Sequence, residues 1–252
     1  MKKLLLVLLL LGVIVHESDA KIQAGVGIKV GPAMGRWNNG VLNPKLSTAG
    51  GTVGFQPGVH AGIQARIWFN KFVGINLAGE FNMQGSTFTR VSGVNSQKVT
   101  HKENQITLPL SVMVGWGNER LRVFGNFGGY FGYNINGKDK EAIYLNGSEQ
   151  PNSGFTKADY KEKYNSIDVG VRVGGGIQVY VDKKLKSCVT FDINYDYGLM
   201  KTFREEEPSY FSNPEKIKIT PSKLLIGVGY SYTFGKSQAE EKPRRAGDMI
   251  TD

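Results

Sequence analysis

Residues 106–133 read ITLPLSVMVGWGNERLRVFGNFGGYFGY. From Ile106 the apolar side chains fall on every second position, Leu108, Leu110, Val112, Val114 and Trp116. After a short polar stretch from Gly117 to Arg120 the alternation resumes at Leu121 and runs through Val123, Gly125, Phe127, Gly129, Phe131 and Tyr133. A period of two marks a strand whose faces meet different surroundings, and so short a connection makes the pair an antiparallel hairpin. Upstream the same alternation runs from Ile22 to Val30, Val59 to Phe69 and Val73 to Met83; downstream it runs from Ile167 to Val181, Val189 to Leu199 and Leu224 to Phe234. No window beyond Ala20 carries the helical spacing i, i+3, i+4, i+7, so the fold class is all-β.

The connections alternate in length. Short ones lie at 70–71, 117–120 and 182–186; long ones, rich in Gly, Asn, Ser, Pro and charge, run over about 35–54, 85–102, 137–165 and 201–219. Three short turns, four long loops and both chain ends on the short-turn side make the asymmetry of a bacterial outer-membrane barrel. The expectation is a single closed antiparallel transmembrane β-barrel of eight strands, up-and-down, with both termini periplasmic. A soluble sandwich shows the same period. The loop asymmetry and aromatic strand ends favour the barrel: Trp68, Phe69, Phe72, Trp116, Tyr180, Tyr232 and Phe234 at the periplasmic rim, and Phe55, Phe81, Phe88, Tyr133, Tyr195 and Tyr197 at the outer one. Trp68 is out of phase and is expected to face inward.

At the N-terminus, Lys2 and Lys3 precede an apolar run from Leu4 to Val15 and a polar end, Ser18-Asp19-Ala20. That is a signal-peptide pattern, with a run too short for the roughly 20 residues of a membrane-spanning helix. Cleavage is expected after Ala20, leaving a barrel over 21–235 and a flexible periplasmic tail over 236–252. The one cysteine, Cys188, allows no internal disulfide. The net charge of +9 is dispersed over loops and turns, which argues against a nucleic-acid partner.

The complementary phase of the strands is polar or small and supplies the lumen, including Lys29, His60 and Lys223. Its sharpest constellation is Arg66, Glu80, Arg122, Asp168, Arg172, Asp192 and Asp196. Eight strands leave room for side chains and little else, and buried charges must be paired, so these residues form either a ladder of structural ion pairs or the lining of a gated ion path. His60 is read as the sole strand histidine and His101 as part of a long loop. Neither has a neighbouring nucleophile motif, and the sequence has no zinc spacing or phosphate loop; no catalysis, metal or cofactor is expected. Pro109 within a strand suggests a bulge. The charged long loops are expected to touch lipopolysaccharide or a partner.

Four fragments, Ile106 to Leu110, Val123 to Tyr130, Val169 to Gly176 and Tyr195 to Leu199, resemble in order and spacing the PorT-type outer-membrane β-barrel family of the Bacteroidota. The last strand, with Gly229, Tyr232 and Phe234, resembles the signal read by the barrel-assembly machinery, although Val228 stands where a polar residue is usual and 18 residues follow Phe234. The resemblance implies an integral outer-membrane protein, and the family's namesake is associated with type IX secretion. The expected function is a structural or interaction module in a secretion or envelope-maintenance assembly. The rivals are a narrow pore and an envelope enzyme built on His60.

Overall fold

The computed structural model describes residues 22–39, 51–118, 120–150, 155–157, 164–203 and 219–234; the signal segment and the tail lie outside them. Ten strands follow in order: β1 (Gln23–Asn39), β2 (Gly51–Trp68), β3 (Val73–Ser92), β4 (Asn95–Gly117), β5 (Leu121–Leu145), β6 (Ser148–Glu149), β7 (Phe155–Lys157), β8 (Ile167–Tyr180), β9 (Ser187–Gly198) and β10 (Ile219–Phe234). Every pairing is antiparallel. The eight long strands form a ring, because β4 pairs with β5 and the first strand pairs with the last from Ala24↔Phe234 to Asn39↔Ile219. The short β6 and β7 are appended to β5.

Physical chemistry inverts the usual burial pattern. Ile28, Ile63, Phe127 and Trp116 point outward and are more than 60% exposed, while Lys29, Glu80, Arg172 and Asp196 point inward and are almost fully buried. An apolar outer belt around a polar interior fits a sheet whose outer solvent is lipid.

Each short turn uses one carboxamide or carboxylate to collect the backbone donors that the strands release. Asn70 Oδ1 accepts from the N–H groups of Phe72 and Val73, both at 2.8 Å. Asn118 Oδ1 accepts from Arg120 and Leu121, and Asp182 Oδ1 from Lys186 and Ser187. These are Asx-type turns, which explains Asn or Asp at each site.

At the opposite end the structure corrects the sequence reading. Segments assigned to loops at 85–102 and 137–145 are strand: β3 and β4 continue to the pair Ser92↔Asn95, closed by Gly93-Val94, and β5 continues to Leu145↔Ser148, closed by Asn146-Gly147. Gly93 has φ 62°, and Asn146 and Gly147 have φ 50° and 82°, the conformations that two-residue hairpin turns demand. Pro109 makes no bulge. The β3–β4 register is the same on both sides of it, with the ladder merely interrupted between Leu77↔Leu110 and Glu80↔Thr107. The bulges lie instead between Gln56 and Val59 in β2 and at Asn104/Gln105 in the β4–β5 pairing. Phe88 and Tyr180, assigned to the aromatic rims, are buried.

Gly58 sits in the β2 bulge, where a Cβ would come within 1.7 Å of the Met83 carbonyl oxygen, whereas a Cβ on Gly125 would meet nothing closer than 3.8 Å. Gly58→Val should therefore lower the temperature at which the compact band is lost in unboiled denaturing gels, and Gly125→Ala should leave it unchanged.

Candidate functional site

The lumen is filled in layers. At the turn end Trp68, Met113 and Phe124 pack together, and the Arg122 guanidinium lies 4.3 Å over the Trp68 ring. Above them Arg66 lies 3.6 Å from Asp192, donates to Thr190 at 2.8 Å and Gln64 at 2.9 Å, and covers the Phe124 ring.

Arg172 on β8 occupies the middle layer. Its Nη1 and Nη2 donate to the two oxygens of Glu80, at 2.7 and 2.8 Å, while Nε and Nη2 donate to the two oxygens of Asp196, at 2.5 and 2.8 Å. Asp196 is its register partner on the adjacent strand. Glu80 comes from β3, three strands away around the ring, so one planar fork ties two walls of the barrel across the lumen. Bidentate pairing of this kind combines strength with fixed geometry. Glu80 also takes Lys29 at 2.6 Å.

The next layer centres on Lys223, which approaches Asp168 at 3.8 Å and Asp196 at 3.7 Å, donates to Gln105 and lies over the Tyr130 ring. Asp168 accepts from Tyr130 at 3.0 Å and Gln105 at 3.2 Å. The structure thus brings six of the seven predicted lumen charges into ion-paired layers and leaves Arg122 apart on Trp68, its Nη1 without a hydrogen-bond partner among the described residues. Lys29 and Lys223 complete the balance. Both were legible as lumen-facing, but counting acids against bases was needed to include them: Arg66, Arg172, Lys29 and Lys223 face Glu80, Asp168, Asp192 and Asp196.

His60 is fully buried, and its Nε2 donates to the Ile226 carbonyl at 3.0 Å. The β1–β10 ladder is interrupted between Val30↔Val228 and Ala33↔Leu225, where Pro32 has no N–H to offer. The imidazole supplies the missing donor, a structural task.

The sequence reading placed His101 in a loop; it stands on β4, fully buried, and is thus a second strand histidine. Its Nδ1 meets Asp139 at 2.6 Å and its Nε2 meets Glu103 at 3.4 Å. The ring stacks on Tyr164, whose hydroxyl donates to Asp139. Trp37, Phe88, Val99, Tyr164, Phe203 and Ile219 complete an apolar cap over this group. The signal for it was weak, because β4 and β5 lose apolar alternation beyond Ile106 and Tyr133. Among the described residues no group of three His, Cys, Asp or Glu side chains could hold a metal ion. On β10, Tyr232 and Phe234 project outward with ring centroids 5.1 Å apart, and a Cβ on Gly229 would crowd the Ile28 carbonyl.

A closed ring of eight long strands, apolar outside and charged within, defines an integral outer-membrane β-barrel. The chain belongs to the outer membrane protein beta-barrel domain family, which matches residues 17–204. Among solved structures it is similar to the attachment invasion locus protein Ail of Yersinia pestis, at 14% identity over 84% of this chain and 99% of that one, with a TM-score of 0.36. It is also similar to OprG from Pseudomonas aeruginosa, at 9% identity over 85% and 96%, with a TM-score of 0.44. A third is Neisserial surface protein A, at 12% identity over 84% and 97%, with a TM-score of 0.38. No curated protein matches the chain.

Two outcomes follow from this geometry. Arg172→Met leaves Glu80 to Lys29 and Asp196 to Lys223 alone, and removing one partner of a buried pair costs up to about 3–5 kcal/mol; the urea-unfolding midpoint of the refolded barrel should fall accordingly. Neutralising both acids as well, with Glu80→Gln and Asp196→Asn, should restore part of the loss. His101 lies beyond the lipid belt. Burial alone would push its imidazole down, but the hydrogen bonds to Asp139 and Glu103 outweigh burial and raise it to about 9 from 6.5. The protonated ring therefore stabilises the cap fully below pH 6.5, and that contribution is lost as pH rises through about 9. The His101 ring signals in NMR should titrate near that value, and in Asp139→Asn they should move toward the ordinary one.

Proposed function

We propose that this chain is a non-conducting outer-membrane anchor that presents rigid β-hairpins at the cell surface for interaction within a secretion or envelope-maintenance assembly. The observation that carries this is the Arg172 fork, which joins Glu80 and Asp196 across the lumen of a barrel whose eight strands leave room for side chains and little else. A void beside it, among Gln64, Arg66, Asn126 and Asp192, has room for about one water. With the interior occupied, the surfaces free to do work are the hairpins formed by β3, β4 and β5, whose tips lie at 93–94 and 146–147.

The orientation in this reading is hairpins outward and short turns periplasmic, as in bacterial barrels generally. Residues 1–20 then act as the export signal and 236–252 as a periplasmic extension, and Gly229, Tyr232 and Phe234 serve recognition by the barrel-assembly machinery. The resemblance of Val123 to Tyr130 and Val169 to Gly176 to PorT-type barrels supports a place in a secretion assembly.

Purified protein in planar bilayers should give no unit conductance, and a photo-crosslinker replacing Val94 should yield discrete adducts in cells. Conductance steps that change when Arg66 or Arg172 is neutralised would establish the pore reading in its place.

A further inference from the structure

The lumen charges balance in place except at the short-turn end. Arg66, Arg172, Lys29 and Lys223 share four carboxylates, which leaves Arg122 without an acid among the described residues. Arg122 is the first inward residue of β5 after the turn and is 7% exposed, so its guanidinium lies just inside the mouth of the lumen. Its titratable neighbours are Tyr180 and Cys188, neither of them a carboxylate. Among the described residues its Nη1 has no hydrogen-bond partner and the side chain makes no ion pair.

A buried charge without a partner costs stability, and stacking on an indole offsets only part of that cost. The same layer holds a second unused donor, because Trp68 Nε1, on a side chain 2% exposed, also lacks a partner. Gln178, the register partner of Arg122, has a buried Oε1 that accepts nothing among the described residues. The guanidinium thus lies on Trp68 rather than bonding the wall beside it. Arginine and tryptophan packed together in a desolvated recess are the residue types on which protein interfaces most often anchor.

The turns around this mouth are basic. Segments 70–72, 117–120 and 182–186 carry Lys71, Arg120, Lys183, Lys184 and Lys186 against Glu119 and Asp182. All five bases are exposed and make no ion pair among the described residues, while Asp182 Oδ1 is engaged by the N–H groups of Lys186 and Ser187. Lipid headgroups can meet the rim but not Arg122, which faces the lumen. What reaches Arg122 must be anionic and no thicker than a side chain, because eight strands leave room for little more. An acidic side chain on an extended segment meets both conditions, and its carboxylate can accept two N–H bonds from the guanidinium fork. Further acids of the same segment would fall on the basic rim.

We propose that Arg122, packed on Trp68 and ringed by the basic short turns, is the receptor for an acidic segment of a partner protein, one of whose carboxylates enters the lumen mouth. This goes beyond the role given to the hairpins, and it holds whichever face of the membrane the short turns occupy.

The test is fluorescence anisotropy of a labelled oligoglutamate peptide added to the full-length chain refolded in non-ionic detergent, with oligoglutamine as the control. Oligoglutamate should bind and oligoglutamine should not. Arg122→Gln should weaken binding about 10-fold or more, as for a charge-assisted hydrogen bond. Lys183→Gln/Lys184→Gln should weaken it only about two- to fourfold, as for exposed ion pairs. Unboiled gels report folding and separate a structural role from a binding one. Arg122→Gln strands no partner, so its compact band should persist to the wild-type temperature; a marked fall would make Arg122 structural and overturn the proposal. Equal binding of the two peptides overturns it as well, and equal affinity in wild type and Arg122→Gln does so by leaving the rim alone as the site. Displacement by equimolar inorganic phosphate would mean a small-anion site, and displacement by phosphatidylglycerol a headgroup site; either refutes the acidic segment. A gain of affinity in Glu240→Gln/Glu241→Gln would make the chain's own tail the occupant and refute the partner.

Discussion

Hydrocarbon offers no partner to a backbone N–H or C=O, so a sheet that enters it must pair every strand on both sides. In this chain that condition is met by the pairing of β1 with β10, which turns an open meander into a ring. Other features follow from it. Outward side chains must be apolar, inward ones are screened from lipid, and eight strands fix an interior too narrow for anything but side chains.

A narrow interior lined by charge is tolerable only if the charges neutralise one another in place. The layers around Arg66, Arg172 and Lys223 do this with forks and shared carboxylates, and the polar groups between them, such as Gln105 and Tyr130, take up further lone pairs. The same economy governs the backbone. Pro32 breaks the β1–β10 ladder, and His60 reaches across to the orphaned Ile226 carbonyl. A histidine in the lumen of a membrane barrel invites a catalytic reading, but in His60 Nε2 is engaged in this repair. The Arg172 fork at the centre and the cluster of Trp37, Tyr164 and Phe203 at one end occupy the lumen with side chains.

The belt strands were legible in the sequence because lipid enforces a strict contrast between faces. Beyond Met83, Ile106 and Tyr133 that contrast ends, since a wall in water can be polar on both sides. The stretch from Gly85 to Lys102 therefore read as loop although its backbone remains paired to the tip at Gly93-Val94. The edge of apolar alternation marks the edge of the membrane, not the end of the strand. His101 was misplaced for this reason, and Phe88 was assigned to a rim although it faces the cap.

The sequence by itself determined the fold class, the eight strands of the ring, the inward phase of the belt and the residue types of the lumen, because period-two alternation is a local property that lipid makes visible. Only the tertiary structure decided which charges meet. Glu80 and Arg172 are 92 residues apart in sequence and belong to strands that do not pair, so their contact depends on ring closure and shear, which no local pattern encodes. The β4–β5 bulge is of the same kind: one extra residue in β5 sends Asp139 inward and Lys138 outward. Its position depends on how two strands share a register across the barrel wall, not on either strand alone.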